Sequence, residues 1–137
     1  MKKIILTGLL VGTGMLVLSF VVSPLLTLVF PAIVSEYQNP SLFRPWTDPL
    51  MMLYFLHPFT TGIILSWIWE KTKGMFKQKE WWRRGAAFGL TYGLISLPGM
   101  LISYATFPLS VAMVVSWTVS ALVQLIGAGI VLVKIRK

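Results

Sequence analysis

The chain has 137 residues, 56% of them hydrophobic and 12% charged, with a mean hydropathy of +0.80. A soluble domain carries about 25% charged residues, so these charges are too few to clothe a compact particle in water, and one small all-α membrane domain is the class that fits. The absence of cysteine excludes disulfides, thiolate metal sites and palmitoylation, and the formal charge of +8 acquires its meaning from where the cations stand.

Four apolar stretches are each long enough for a hydrocarbon layer of about 30 Å, which takes about 20 helical residues. The first, 4–30, follows Met1-Lys2-Lys3. Its apolar run exceeds the 7–15 residues typical of a secretory signal and no small-x-small cleavage site follows it, so it is expected to remain as a span. A loop over 31–49 comes next, with Glu36, Arg44 and Asp48 as its charges. Its prolines and aromatics suggest a cap folded onto the end of the bundle, or in a sharper form a lid over a cavity leading to His57. Arg44 and Asp48 are spaced to pair locally, which in an exposed loop contributes little.

The second span, 50–69, opens at Thr47-Asp48-Pro49, a capping side chain followed by proline in the first turn. It closes at Trp67 and Trp69, residues suited to the membrane interface. A basic loop over 70–84 leads to the third span, 85–107, and the fourth, 109–133, follows almost at once. Phe107-Pro108 leaves room only for a tight hairpin that barely leaves the membrane. The expected architecture is thus a single four-helix transmembrane bundle in up-down order.

Eleven of the twelve basic residues fall in three groups, before the first span, between the second and third, and after the fourth, with Arg44 the exception. Four crossings put these groups on one side, and the tendency of Lys/Arg-rich short loops to stay inside predicts a multi-pass protein of the inner (plasma) membrane with both termini cytoplasmic.

The halves of the chain also suggest a two-plus-two parallel repeat about an axis along the membrane normal. An offset of 77 pairs Gly8 with Gly85, Gly12 with Gly89, Ser19 with Ser96 and Pro31 with Pro108, while an offset of 67 pairs Gly62 with Gly129, Leu65 with Leu132 and His57 with Gln124. Chance coincidence of residues common in membrane helices is the rival reading.

Small residues are the strongest packing signal. Gly8 and Gly12 on the first span, and Gly85, Gly89 and Gly93 on the third, form stripes along which backbones can approach closely where lipid supplies no hydrophobic drive to association. Ala112, Ser116, Ser120 and Gln124 extend the same logic to the fourth. Such stripes close one bundle internally, join two copies, or less readily line a substrate path.

His57 is the only histidine. An ionisable group inside a span usually faces the bundle interior with a partner. Pro58 next to it removes the amide that would bond the carbonyl of Tyr54. Tyr54, His57 and Thr61 share one helical face, and with Gln124 and Tyr92 they make a candidate substrate-binding set near the midplane. In the structural alternative His57 donates to a carbonyl or to Ser116 or Ser120 and fixes helix register. Gln124 reads more readily as packing glue, and Pro98-Gly99 marks a second interruption, on the third span.

In the basic loop, Lys77, Lys79, Arg83 and Arg84 beside Trp81 and Trp82 suit anionic lipid headgroups. Read blandly, these residues determine topology and bind nothing specific. Nucleic acid is not expected as a partner, nor is any cofactor or metal: no catalytic carboxylate pair, phosphate loop or metal-ligand spacing occurs. The function expected is therefore that of a non-enzymatic membrane component packing as a homo-oligomer or accessory subunit. A small transporter or channel with a polar midplane site around His57 is the alternative.

Overall fold

The computed structural model describes residues 1–136. They form α1 (Lys2–Val29), a short α2 (Ala32–Tyr37), α3 (Met52–Thr72), α4 (Trp81–Thr106) and α5 (Val111–Ile135). Four helices, α1, α3, α4 and α5, are long and apolar enough to cross a membrane, so the chain is an all-helical, multi-pass type of protein.

Local chemistry sets several boundaries. Asp48 opens the third helix by accepting from the Leu50 amide at 2.9 Å, and Pro49 begins a 3-10 turn, Pro49–Met51, that runs directly into α3. Ser110 opens α5 by accepting from the Met113 amide at 3.1 Å, satisfying a donor that the helix itself leaves free. Helix α4 begins at Trp81, four residues before the expected Gly85, and α5 runs to Ile135, past the expected Val133. Long basic and indole side chains tolerate the headgroup layer, so a helix need not stop where hydrocarbon stops. The basic loop is correspondingly shorter than the expected 70–84.

Helices pair through glycine. A Cβ added to Gly62 of α3 would collide with the Gly8 carbonyl oxygen and lie 2.7 Å from the Gly12 nitrogen; one added to Gly12 would lie 2.7 Å from the Phe59 Cα. On the other pair, a Cβ on Gly129 of α5 would strike the Gly85 carbonyl and lie 2.9 Å from the Gly89 nitrogen, and one on Gly89 would lie 2.6 Å from the Ile126 Cα. Only a residue without a side chain permits such approach. Helix α1 also packs on α5, where Leu18 meets Gly127. No Cα of α3 comes within 8 Å of a Cα of α4, so the circuit α3–α1–α5–α4 is left with one open seam.

The main core lies toward the end that carries the N-terminus and Arg136. It joins Val11 and Met15 of α1, Leu65 and Trp69 of α3, Phe88 of α4, and Ala128, Leu132 and Val133 of α5. Bulky rings span the open seam at this end: Phe88 lies 5.2 Å from Trp69, 5.5 Å from Phe76 and 4.8 Å from Tyr92, centroid to centroid. Trp69 donates its indole N–H to the Arg136 carbonyl at 3.1 Å, and the Arg136 guanidinium bonds Glu70, tying α3 to the end of α5.

At the opposite end a second cluster joins Ile33, Leu109 and Met113 with Phe30, Phe43 and Trp117. The loop over 31–49 is folded onto the ends of α5 and α3 that lie away from the N-terminus. Glu36 accepts from the Ser110 amide at 3.0 Å, Tyr37 accepts from the Trp117 indole at 2.6 Å, and Trp46 packs edge-on to Tyr54 at 5.6 Å. Burial against α5 pushes the Tyr37 phenol above its ordinary pKa, with the Trp117 hydrogen bond opposing the shift.

Candidate functional site

The side chains of α3 distribute according to which face α1 claims. Gly62 marks the line of closest approach, and His57 lies five residues away, about 140° around a helix that turns 100° per residue. Pro58, Gly62, Leu65, Ser66 and Trp69 are consequently buried, whereas Tyr54, His57 and Thr60 are exposed on the lateral surface. His57 stands eight residues beyond Pro49, about 12 Å along the axis at 1.5 Å per residue, within a helix long and apolar enough to cross a membrane.

The expected interior placement of His57 is thus replaced by a lateral one. Its imidazole Nε2 is 3.5 Å from the Thr61 hydroxyl, on its own helix. Neither Ser116 nor Ser120 serves it: Ser116 is buried and donates to the Met113 carbonyl at 2.8 Å, and Ser120 accepts from Gln124 at 2.9 Å. Gln124 therefore makes a bond along α5, one turn back, instead of one across the bundle. Thr60, which donates to the carbonyls of Leu56 and His57, is a polar neighbour absent from the expected set.

The five residues of that set divide into separate groups. Tyr54, His57 and Thr61 form a stripe on α3, Tyr92 packs tilted against Phe88 at the edge of the main core, and Gln124 donates to Ser120. No hydrogen bond joins the groups among the described residues.

The small residues are placed as follows. Gly8 and Gly12 face α3, Gly85 and Gly89 face α5, and Gly93 meets the Leu122 side chain. Ser116 and Ser120 bond within their own helix, and the close crossing on α5 is made at Gly129, with Leu125 and Ile126. Gly62, Gly127 and Gly129 complete the crossings without belonging to either stripe expected from four-residue spacing. Gly62 and Gly129 are the pair related by the 67-residue offset, and the cue for Gly127 is its place in the run Gly127-Ala128-Gly129.

The basic segment also has defined geometry. The Arg83 guanidinium lies 5.1 Å from the Trp82 ring centroid and pairs with Glu80 at 2.8 Å, while Lys134 lies 5.6 Å from the Trp81 ring. Arg84 donates to the Gln78 carbonyl at 3.0 Å. Lys79, Trp81, Trp82 and Arg84 line a shallow groove of about 510 Å³ with Glu80 and Val133, and Lys77 is exposed beside them in the sequence.

All four acidic residues sit at the ends of the bundle in structural contacts. Glu36 holds the Ser110 amide, Asp48 holds the Leu50 amide and Arg44, Glu70 holds Arg136 and Lys73, and Glu80 holds Arg83. Compared with protein-family models, curated proteins and solved structures, the chain matches none of them.

Proposed function

We propose that this protein is a non-enzymatic component of the inner membrane, its termini cytoplasmic, that acts by packing against a second copy through the lateral face of α3. The carrying observation is the exposed stripe of Tyr54, His57 and Thr60 inside a span. Polar groups at such depth are costly when they face lipid and normally mark a helix contact or a pathway. An imidazole both donates and accepts, so one stripe can satisfy its own copy across a twofold axis. The engagement of each of the four Asp and Glu side chains in a structural contact supports the non-catalytic part of the reading. An accessory role, with a different membrane protein on the same face, is the variant form.

The same reading includes descent from a two-plus-two repeat. Its support is the common register of the two glycine crossings, in which Gly8, Gly12 and Gly62 make the contacts that Gly85, Gly89 and Gly129 make in the other half. Anionic headgroups around Lys77, Lys79, Trp81, Trp82, Arg83 and Arg84 belong to the proposal as a general membrane anchor. The transporter alternative is favoured by one feature, the open seam between α3 and α4, and opposed by the dispersal of its expected site.

The test is self-association in lipid vesicles, followed by energy transfer between labelled copies at several lipid dilutions. Wild type is expected to associate, and His57→Leu to weaken association about threefold or more, since interhelical hydrogen bonds in membranes average about 0.6 kcal/mol. Strictly monomeric wild type, or unchanged association of the variant, would sink the homo-oligomer reading.

A further inference from the structure

Three segments far apart in sequence meet at the end of the bundle that holds the N-terminus. Lys2, Lys3 and Ile4 from α1, Trp67, Glu70 and Lys71 from α3, and Arg136 after α5 line an open groove of about 690 Å³. Its charged side chains are four cations and one carboxylate. That carboxylate is already engaged: one oxygen of Glu70 accepts from Arg136 Nε at 2.8 Å, and the other from Lys73 at 3.3 Å. Among the described residues, no carboxylate side chain lies within 4.0 Å of the amines of Lys2, Lys3 or Lys71. The first turn of α1 contains both lysines and no acidic residue to offset them.

We propose that this groove binds the phosphate of an anionic phospholipid headgroup. The excess of cations calls for an anion, and a phosphate oxygen set accepts from several ammonium groups at once. A membrane source is favoured over a soluble one by what borders the groove. Trp67 is 55% exposed at its rim, an indole at the level where aromatic belts meet headgroups, and Ile64, one turn deeper on α3, is 56% exposed. An acyl chain thereby has an apolar path directly beneath its headgroup. Basic pockets between helices at the membrane surface are suited to this use. The groove by Trp81 and Trp82 is the poorer site, because it comes mostly from one loop and its cations are partly held by Glu80, the Gln78 carbonyl and the indole rings.

Ile64 and Trp67 continue the His57 face of α3 toward the end that holds the N-terminus, so the groove borders the docking stripe, and the two readings are tested by separate measurements. Dioctanoyl phosphatidic acid is titrated into the full chain in a neutral maltoside detergent, with dioctanoyl phosphatidylcholine and inorganic phosphate as comparison probes. The double variant Lys2→Gln/Lys3→Gln is set against Arg44→Gln/Lys134→Gln, which removes equal charge outside both the groove and the Lys77–Arg84 segment. At about 1 kcal/mol per basic residue near anionic lipid, the groove variant is expected to bind phosphatidic acid roughly 30-fold more weakly. The matched variant should lose less than about threefold. Equal losses in the two variants, or no loss in the groove variant, would overturn the site. Inorganic phosphate binding as tightly as phosphatidic acid would overturn the lipid assignment in favour of a soluble phosphate. An unchanged energy-transfer signal in the groove variant shows that self-association is separate.

Discussion

Asp48 shows how much one side chain does at the end of the bundle opposite the N-terminus. Its carboxylate accepts from the Leu50 amide and from Arg44, each at 2.9 Å, and so starts a helix while anchoring the loop that precedes it. The Leu50 hydrogen bond, followed by the Arg44 contact, holds its pKa below the ordinary carboxylate value. A depressed folded-state pKa means that the cap's contribution is complete above the ordinary carboxylate range and is lost as pH falls through the lowered value. A carboxyl-carbon NMR titration should accordingly place the Asp48 midpoint below that of an unstructured peptide, and Arg44→Gln should move it upward. A midpoint at or above the peptide value would contradict the cap. His57 is the opposite case, a polar side chain whose nearest polar contact is a hydroxyl on its own helix at 3.5 Å.

At the scale of the helix, the two crossings make a stability prediction. Gly62→Ala or Gly129→Ala places a methyl against the backbone of the neighbouring helix and should destabilise the protein by about 1–3 kcal/mol, the usual cost of overpacking. Gly14 has nothing within 4 Å of an added Cβ, so Gly14→Ala should be neutral or stabilising by up to about 1 kcal/mol through helix propensity. Reversible unfolding in mild detergent, followed by circular dichroism, measures both, and equal responses at the two kinds of position would contradict the crossings. The spans themselves were legible in the sequence because apolar length is a one-dimensional property. Stripe-facing was legible only where glycines recur every four residues, as at Gly8/Gly12 and Gly85/Gly89. The orientation of α3 was not, because a polar stripe and a small-residue stripe on one helix compete for the interior. Gly62 and Pro58 won, since close backbone approach to α1 leaves no room for an imidazole on that side. Gln124 was equally illegible: its amide had a partner one turn away on α5 as well as a conceivable one across the bundle.

Taken whole, the molecule is two glycine-locked helix pairs joined along α1 and α5, tight at the end with the N-terminus and open along α3 and α4. Rings bridge the open seam near the Arg136 end, whereas farther along Leu53, His57 and Thr60 of α3 and Leu101 and Ile102 of α4 are exposed. The glycine stripes are used inside the chain, which is why the proposed self-association is assigned to the polar face of α3. Because the chain has no cysteine, a single introduced thiol reports its own surroundings without background. The most direct measurement is oxidative cross-linking in native membranes of Leu53→Cys, one turn before His57 on the same face, against Leu101→Cys on α4. The account predicts a covalent dimer of the chain for Leu53→Cys, several-fold less in a His57→Leu background, and little for Leu101→Cys; equal yields at the two positions, or no dimer at Leu53→Cys, would contradict it.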